Sequence, residues 1–292
     1  MKVIIPCTTR TAIGGGMSFI NNITKGAEGL FRVNHGLHDC GSVVLVPAPT
    51  LVTRDDFKRF KKKCPVVLRV DGIPEDWRNR GTGWPRLRDY AKWSDEVIYQ
   101  SEFVRDTVGK LLNRKGVVIY NGIDTSVFKK EGPAMQMDLG KHSILYIHFR
   151  NDPNKRVDEV ITRFRQYKLE HPDATITFVG AYPKNQFHWN GKNDFGMLDW
   201  QEGEDWNYLG VIKDRQELAK IMRSHQYIAF PSFADPCPNS LLEALNCGCE
   251  VLWPSDYGST QEILDLWKKD YDFGLRKMTE EYYSVFKKLV IK

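Results

Sequence analysis

The chain contains no run of about 20 consecutive apolar residues, the length a membrane-spanning helix needs. Its opening residues, MKVIIPCTTR, hold too short an apolar stretch before Thr and Arg to read as a secretory leader, so a cytoplasmic protein is expected. Cysteine is sparse: six residues in 292, with one close pair, Cys247 and Cys249, separated by a single residue. Zinc knuckles place two or more residues between their ligands, so no metal site is expected, and scattered reduced thiols fit a cytosolic setting. No G-x-G-x-x-G follows the first apolar run and no acidic residue ends the second, which leaves a dinucleotide fingerprint unsupported. Low-complexity sequence is missing too, apart from the basic FKRFKKK at 57–63.

What the chain does have is a soluble globular composition, 41% hydrophobic, 27% charged and 12% aromatic, with a net charge of +5. The modest positive charge favours an anionic partner, which a nucleic acid, an anionic membrane or a nucleotide would each satisfy. A chain of 292 residues exceeds one usual core, so two domains are expected. Runs rich in β-branched residues alternate with helical patterns: KVIIPC, SVVLVPA, PVVLRV, EVIYQS and GVVIYN first, then SILYIHF, TITFVGA, NYLGV, YIAFPS and CEVLWPS. Continuous apolar strands of this kind predict parallel sheets covered on both faces. The stretch 121–143, rich in turn residues and without a sustained period, is the predicted linker, which gives domains at 1–125 and 126–292. The C-terminal helix is left free to pack back on the first domain. In open α/β sheets ligands bind beyond the carboxyl ends of the strands, so functional residues are sought in the βα loops.

Several such loops carry distinctive residues. After the first strand, Gly14, Gly15 and Gly16 precede a helix, where bare backbone N–H groups can approach an anion or a sugar hydroxyl; a plain strand-to-helix turn is an equal reading. Arg150 and Lys155 stand five apart on a loop whose turn is made by Asp152 and Pro153, a pair of cations suited to a diphosphate. In PSFADPCPNSLLEALNCGC, at 231–249, Asp235 precedes a Pro-stiffened loop and Glu243 lies one turn into the following helix. Asn239 or Ser240 is the expected N-cap and Gly248 the stop. The first N–H groups, at Asn239, Ser240 and Leu241, would take a phosphate, and the Glu243 carboxylate could accept from two vicinal ribose hydroxyls. An Asx turn at Asp235 and an ordinary helical Glu243 remain the alternative.

Together these residues resemble the retaining GT-B glycosyltransferases, specifically the large family 4 (glycosyl transferases group 1) that uses nucleotide-sugar donors. The resemblance rests on two acids with seven residues between them, Asp235 and Glu243, where the family usually has two Glu, and on the Arg150/Lys155 spacing. It extends to YNGIDTSVF at 120–128, WSDEVIYQSEF at 93–103, NYLGVI at 207–212 and DYGSTQEIL at 256–264. It implies a GT-B fold, two doubly wound Rossmann-like α/β domains facing across a cleft. It also implies a retaining, metal-independent hexosyltransferase that needs no cofactor and uses a UDP-, GDP- or ADP-sugar.

By the same resemblance Asp235 reads the donor sugar, Glu243 the ribose, and Arg150 with Lys155 the diphosphate. The helix N–H groups assist, and the base is held near Val211 and Ile212, largely through backbone atoms. Asp71, in VVLRVDGIPEDW, falls where relatives place a His or Asp near the reacting centre; a turn-capping Asp is the competing reading. The Asp in the first acid position is one methylene shorter, which bears on donor choice. A metal-dependent GT-A enzyme would want Asp-x-Asp ending an apolar strand, whereas Asp270 and Asp272 sit in a polar stretch. The acceptor is expected to be a glycan or glycolipid, not a nucleic acid. Phe57 and Phe60 could belong to an interfacial helix or to the core, so peripheral membrane contact stays open, as does oligomeric state. The rival class is a nucleotide-sugar-binding protein without transferase activity.

Overall fold

The computed structural model describes residues 1–6, 15–36, 41–74, 83–150, 152–181 and 205–291. Its strands, in chain order, are β1 (Lys2–Ile4), β2 (Arg32–Asn34), β3 (Val43–Val46), β4 (Val66–Val70), β5 (Glu96–Tyr99), β6 (Val117–Val118), β7 (Ser143–Tyr146), β8 (Thr175–Phe178), β9 (Trp206–Tyr208), β10 (Tyr227–Ala229) and β11 (Glu250–Leu252). The helices used below are α1 (Gly15–Gly26), α2 (Arg54–Lys61), α3 (Gly83–Trp93), α4 (Val157–Glu170), α5 (Arg215–Arg223), α6 (Asn239–Asn246), α7 (Thr260–Trp267) and α8 (Leu275–Val290). Two compact units result. The first holds Met1–Asp124, Ala234–Asn239 and Glu262–Lys292, and the second Thr125–Phe233 and Ser240–Gln261.

In the first unit six parallel strands run in the order β2-β1-β3-β4-β5-β6. Every residue of β3 and β4 is buried, which is why VVLV and VVLRV are apolar on both faces rather than alternating. One side of the sheet packs on α1 and α8, with Phe19, Ile20, Ile23, Tyr282 and Phe286 in the core. A Cβ added to Gly26 would lie 2.8 Å from the Leu275 carbonyl oxygen, so α1 and α8 approach closely because Gly26 has no side chain.

The other side packs on α2 and α3. Thr53 caps α2, its hydroxyl accepting from the Asp56 N–H at 3.1 Å. Phe57 and Phe60 are 0% and 2% exposed, and Phe57 stacks on Tyr90 with ring centroids 4.4 Å apart. Of the two readings of FKRFKKK, the core one holds: the aromatic residues are spent inside, and only Lys and Arg face out. None of the described helices is long and apolar enough to cross a membrane.

The second unit has five parallel strands in the order β11-β10-β7-β8-β9. Its core joins Tyr146, Val160, Phe164, Ile176 and Phe178. From β7 the chain goes to β8 and β9 on one side, then returns to β10 and β11 on the other. The switch therefore lies between β7 and β10, the position where open α/β sheets leave a crevice beyond their carboxyl edge. Within this unit the described loop residues that open there are 147–150, 152–156 and 230–233.

Candidate active site

In the second unit both loops at the switch are tied down locally. Asp152 accepts from the Arg150 guanidinium at 2.8 Å and from the Asn154 N–H at 3.2 Å, capping the short turn Pro153–Lys155. The Lys155 carbonyl accepts from the Tyr146 hydroxyl at 2.6 Å, so a core tyrosine sets the height of the loop. The Phe233 N–H donates to the Asn154 carbonyl at 2.7 Å, joining the β7 loop to the β10 loop. Arg150 keeps 45% of its side chain exposed while Asp152 is buried, so one end of the guanidinium is anchored and the rest faces outward.

The helix α6 begins at Asn239, so Asn239 and Ser240 are its first residues and not the cap that the sequence suggests. Ser240 turns its hydroxyl to His148 Nε2, at 3.0 Å, while His148 Nδ1 meets the Ser232 hydroxyl at 3.1 Å. Burial, and then the charges of Lys155 and Arg150, hold the His148 pKa well below its ordinary value, so the ring is neutral. The first N–H groups of α6, from Asn239 through Leu241, have no partner within the helix and carry its positive dipole end. At the far end Gly248, with φ +96°, closes the helix as the sequence predicts.

Glu243 is 2% exposed. Burial pushes its pKa up to about 7, against the pull of the Arg215 guanidinium, which is ion-paired to one carboxylate oxygen. Arg215 opens α5 and lies over the Phe128 ring, 4.6 Å from its centroid. A cation at a helix N-terminus opposes the dipole. That mismatch is visible in KDRQEL, though its partner is not. Val211 and Ile212 lie in the loop after β9, Val211 48% exposed, and the Gly180 N–H donates to the Gly210 carbonyl at 2.8 Å beside them.

The first unit holds the remaining predicted residues. Gly15 and Gly16 open α1, and among the described residues a Cβ on either would meet nothing within 4 Å. Gly14 lies outside the described residues. Asp71 is exposed just after β4. A Cβ on its neighbour Gly72 would come within 3.7 Å of Pro236, so the Asp71 and Asp235 loops are adjacent.

The Asp235 loop is itself clamped to this unit. Ser101 donates to the Pro236 carbonyl at 2.6 Å, and Asn121 donates to the Cys237 carbonyl at 2.7 Å through its amide and to the thiol at 3.3 Å through its backbone N–H. Behind Asn121 lies Arg69, 2% exposed. It donates to Asn121 Oδ1 at 3.0 Å, to Gln100 Oε1 at 2.6 Å and to the Pro47 carbonyl at 3.0 Å, with its guanidinium 3.9 Å from the Phe19 ring centroid. Every hydrogen-bond partner is neutral. The network holds the loop through Ser101 and Asn121, and Arg69, Gln100, Asn121 and Ser101 were not singled out for that role by the sequence.

The segment that carries Arg150, Lys155, Glu243 and the α6 N-terminus is the one that decides relatedness. Residues 141–269 match the family model described as Glycosyl transferases group 1. The fold agrees. The structure of Anabaena Alr3699/HepE in complex with UDP-glucose superimposes with a TM-score of 0.69 at 12% identity, covering 99% of this chain and 100% of that one. The pneumococcal O-GlcNAc transferase GtfA, in complex with UDP and GlcNAc, gives 0.62 at 11% identity, over 86% of this chain and 57% of that one. A UDP-forming α,α-trehalose-phosphate synthase from Burkholderia xenovorans gives 0.58 at 12%, over 92% and 78%. No curated protein matches the chain. The two parallel α/β sheets thus have the GT-B architecture, and residues 141–269 are similar to the group 1 glycosyl transferases.

Proposed function

We propose that the protein is a retaining hexosyltransferase of family 4 type, which moves a sugar from a nucleoside-diphosphate sugar to a glycan or lipid-linked glycan without a metal ion. The observation that supports this reading is that Ser240, in the first turn of α6, bonds His148, whose ring feels the charges of Lys155 and Arg150, with Glu243 further along the same helix. As the bond from the anomeric carbon to the phosphate oxygen breaks, negative charge grows on the departing diphosphate. Two fixed cations and the N–H groups of Asn239, Ser240 and Leu241 would stabilise that charge without reorganising. The leaving oxygen then takes the acceptor's proton on the same face of the sugar, which retains configuration. Glu243 would hold the ribose hydroxyls, Asp235 the hexose, and Asp71 the donor or acceptor beside it. UDP in the structurally similar proteins makes UDP-sugars the first donors to try.

A thermal-shift screen of UDP-, GDP- and ADP-sugars tests the donor site, and stabilisation by one of them is expected, growing with ligand concentration. Lys155→Ala should weaken the bare nucleoside diphosphate about tenfold, the usual scale for losing a charge-assisted contact. Asp235→Ala should leave the bare nucleotide unaffected and weaken only the intact donor. Equal losses for both ligands in Asp235→Ala would remove Asp235 from sugar recognition.

A further inference from the structure

His148 is not among the residues the sequence singled out, yet its ring stands between two hydroxyls that flank the strand switch. We propose that His148 is a positioning residue which, through a one-way chain from Ser232 to His148 to Ser240, aims the Ser240 hydroxyl proton at the diphosphate of the donor. The inference rests on the donor site proposed above.

The direction of the chain follows from burial and counting. Ser232 is 0% exposed, and among the described residues its hydroxyl is paired with His148 Nδ1 alone, at 3.1 Å. A buried hydroxyl proton without an acceptor is costly, so the Ser232 O–H donates to Nδ1. Nδ1 is then the bare nitrogen. A neutral imidazole carries one proton, which must therefore sit on Nε2. The Nε2–H donates to the Ser240 oxygen at 3.0 Å. With its oxygen already accepting from the ring, Ser240 keeps its own proton for another partner.

That partner lies at the start of α6, since Ser240 is the second residue of the helix and is half-buried. The neighbouring N–H groups and the Arg150 and Lys155 charges favour an anion there, and a phosphate oxygen is an acceptor of the needed kind. Successive hydrogen bonds of one sense polarise each other, which strengthens the last donor. The opposite tautomer would turn the Ser240 proton inward to the ring and present a lone pair to the phosphate, which repels it. Burial, and then the charges of Lys155 and Arg150, keep His148 from taking a second proton, so the chain has one direction at neutral pH.

Calorimetric titration of UDP and uridine tests the chain, with GDP and guanosine or ADP and adenosine substituted if the wild type prefers another base. His148→Ala and Ser240→Ala should each weaken the diphosphate about five- to tenfold, the scale of one hydrogen bond to a charged group, and leave the nucleoside unchanged. Because His148 acts through Ser240, the double variant should lose no more than Ser240→Ala alone. His148→Gln, whose amide oxygen can accept from Ser232 and whose amide N–H can donate to Ser240, should recover most of the affinity. Losses that multiply in the double variant, or equal losses for nucleoside and diphosphate, would overturn the chain. So would wild-type affinity in His148→Ala. A wild type that binds none of the three diphosphates would instead refute the donor site itself.

Discussion

Glu243→Gln is expected to bind nucleoside diphosphate ten to a hundred times more weakly and yet to be more stable than the wild type above pH 7. Two effects of one carboxylate separate here. In the proposed ribose contact the carboxylate would accept from two hydroxyls with both oxygens and its charge, and hydrogen bonds to a charged group contribute about 1.5–3 kcal/mol, the origin of the expected affinity loss.

Stability moves the other way because Glu243 is 2% exposed and its folded pKa is raised from 4.5 to about 7. Between those values the folded state holds a proton that the unfolded state has lost, so raising the pH favours unfolding. The carboxyl's contribution is best below pH 4.5 and worsens as pH climbs through 7, where ionised Glu243 costs on the order of 3 kcal/mol. Glutamine escapes that cost, while the half-exposed Arg215 stays solvated. Urea denaturation at pH 5 and pH 8 checks it: the variant should gain mainly at pH 8. An equal gap at both values would show that the proton on Glu243 is not the cause. In the wild type, nucleotide affinity should likewise rise from pH 6 to pH 8 as Glu243 ionises.

Arg69→Met should be the most damaging single change in the first unit. It deletes a fork that satisfies Pro47, Gln100 and Asn121 at once, in a place where no water reaches them. Gln100 keeps a donor from the Asn121 amide at 3.1 Å, but the Pro47 carbonyl and Asn121 Oδ1 are stranded at about 1 kcal/mol or more each, for a loss of about 2 kcal/mol and a melting temperature lower by about 5 °C. Asn121, released from Arg69, would also hold Cys237 and the Asp235 loop less firmly. Purified variant that still binds UDP should therefore discriminate poorly between UDP and the intact UDP-sugar. Arg69→Lys should rescue little, because an ammonium cannot span three acceptors in a plane. A variant melting with the wild type would show that the network carries no net stability.

Much of this arrangement was legible without coordinates because it is local. Apolar runs of four or five residues between turn signals gave the parallel strands, since a strand buried on both faces has no polar position to alternate. Gly248 marked the end of α6 through its positive φ, and Asp152 with Pro153 marked the turn that carries Lys155. The cap of α6 was misread, because Asn239 and Ser240 have the composition of a cap but lie inside the helix, where the Ser240 oxygen pairs with His148 Nε2. Nothing within the helix could reveal a partner 92 positions away.

The amino-acid sequence by itself determined the alternating architecture and the residue types at the strand ends, for both depend on neighbours along the chain. Only the tertiary structure decided which of those residues meet. Asn121 reaches Cys237 across 116 positions, and Arg215 reaches Glu243 across 28. Such pairings leave no period or turn signature, because they are fixed by sheet order and burial. The same burial that makes Glu243 a costly carboxylate, and His148 a neutral ring, is a property of the packed interior and of no stretch of sequence.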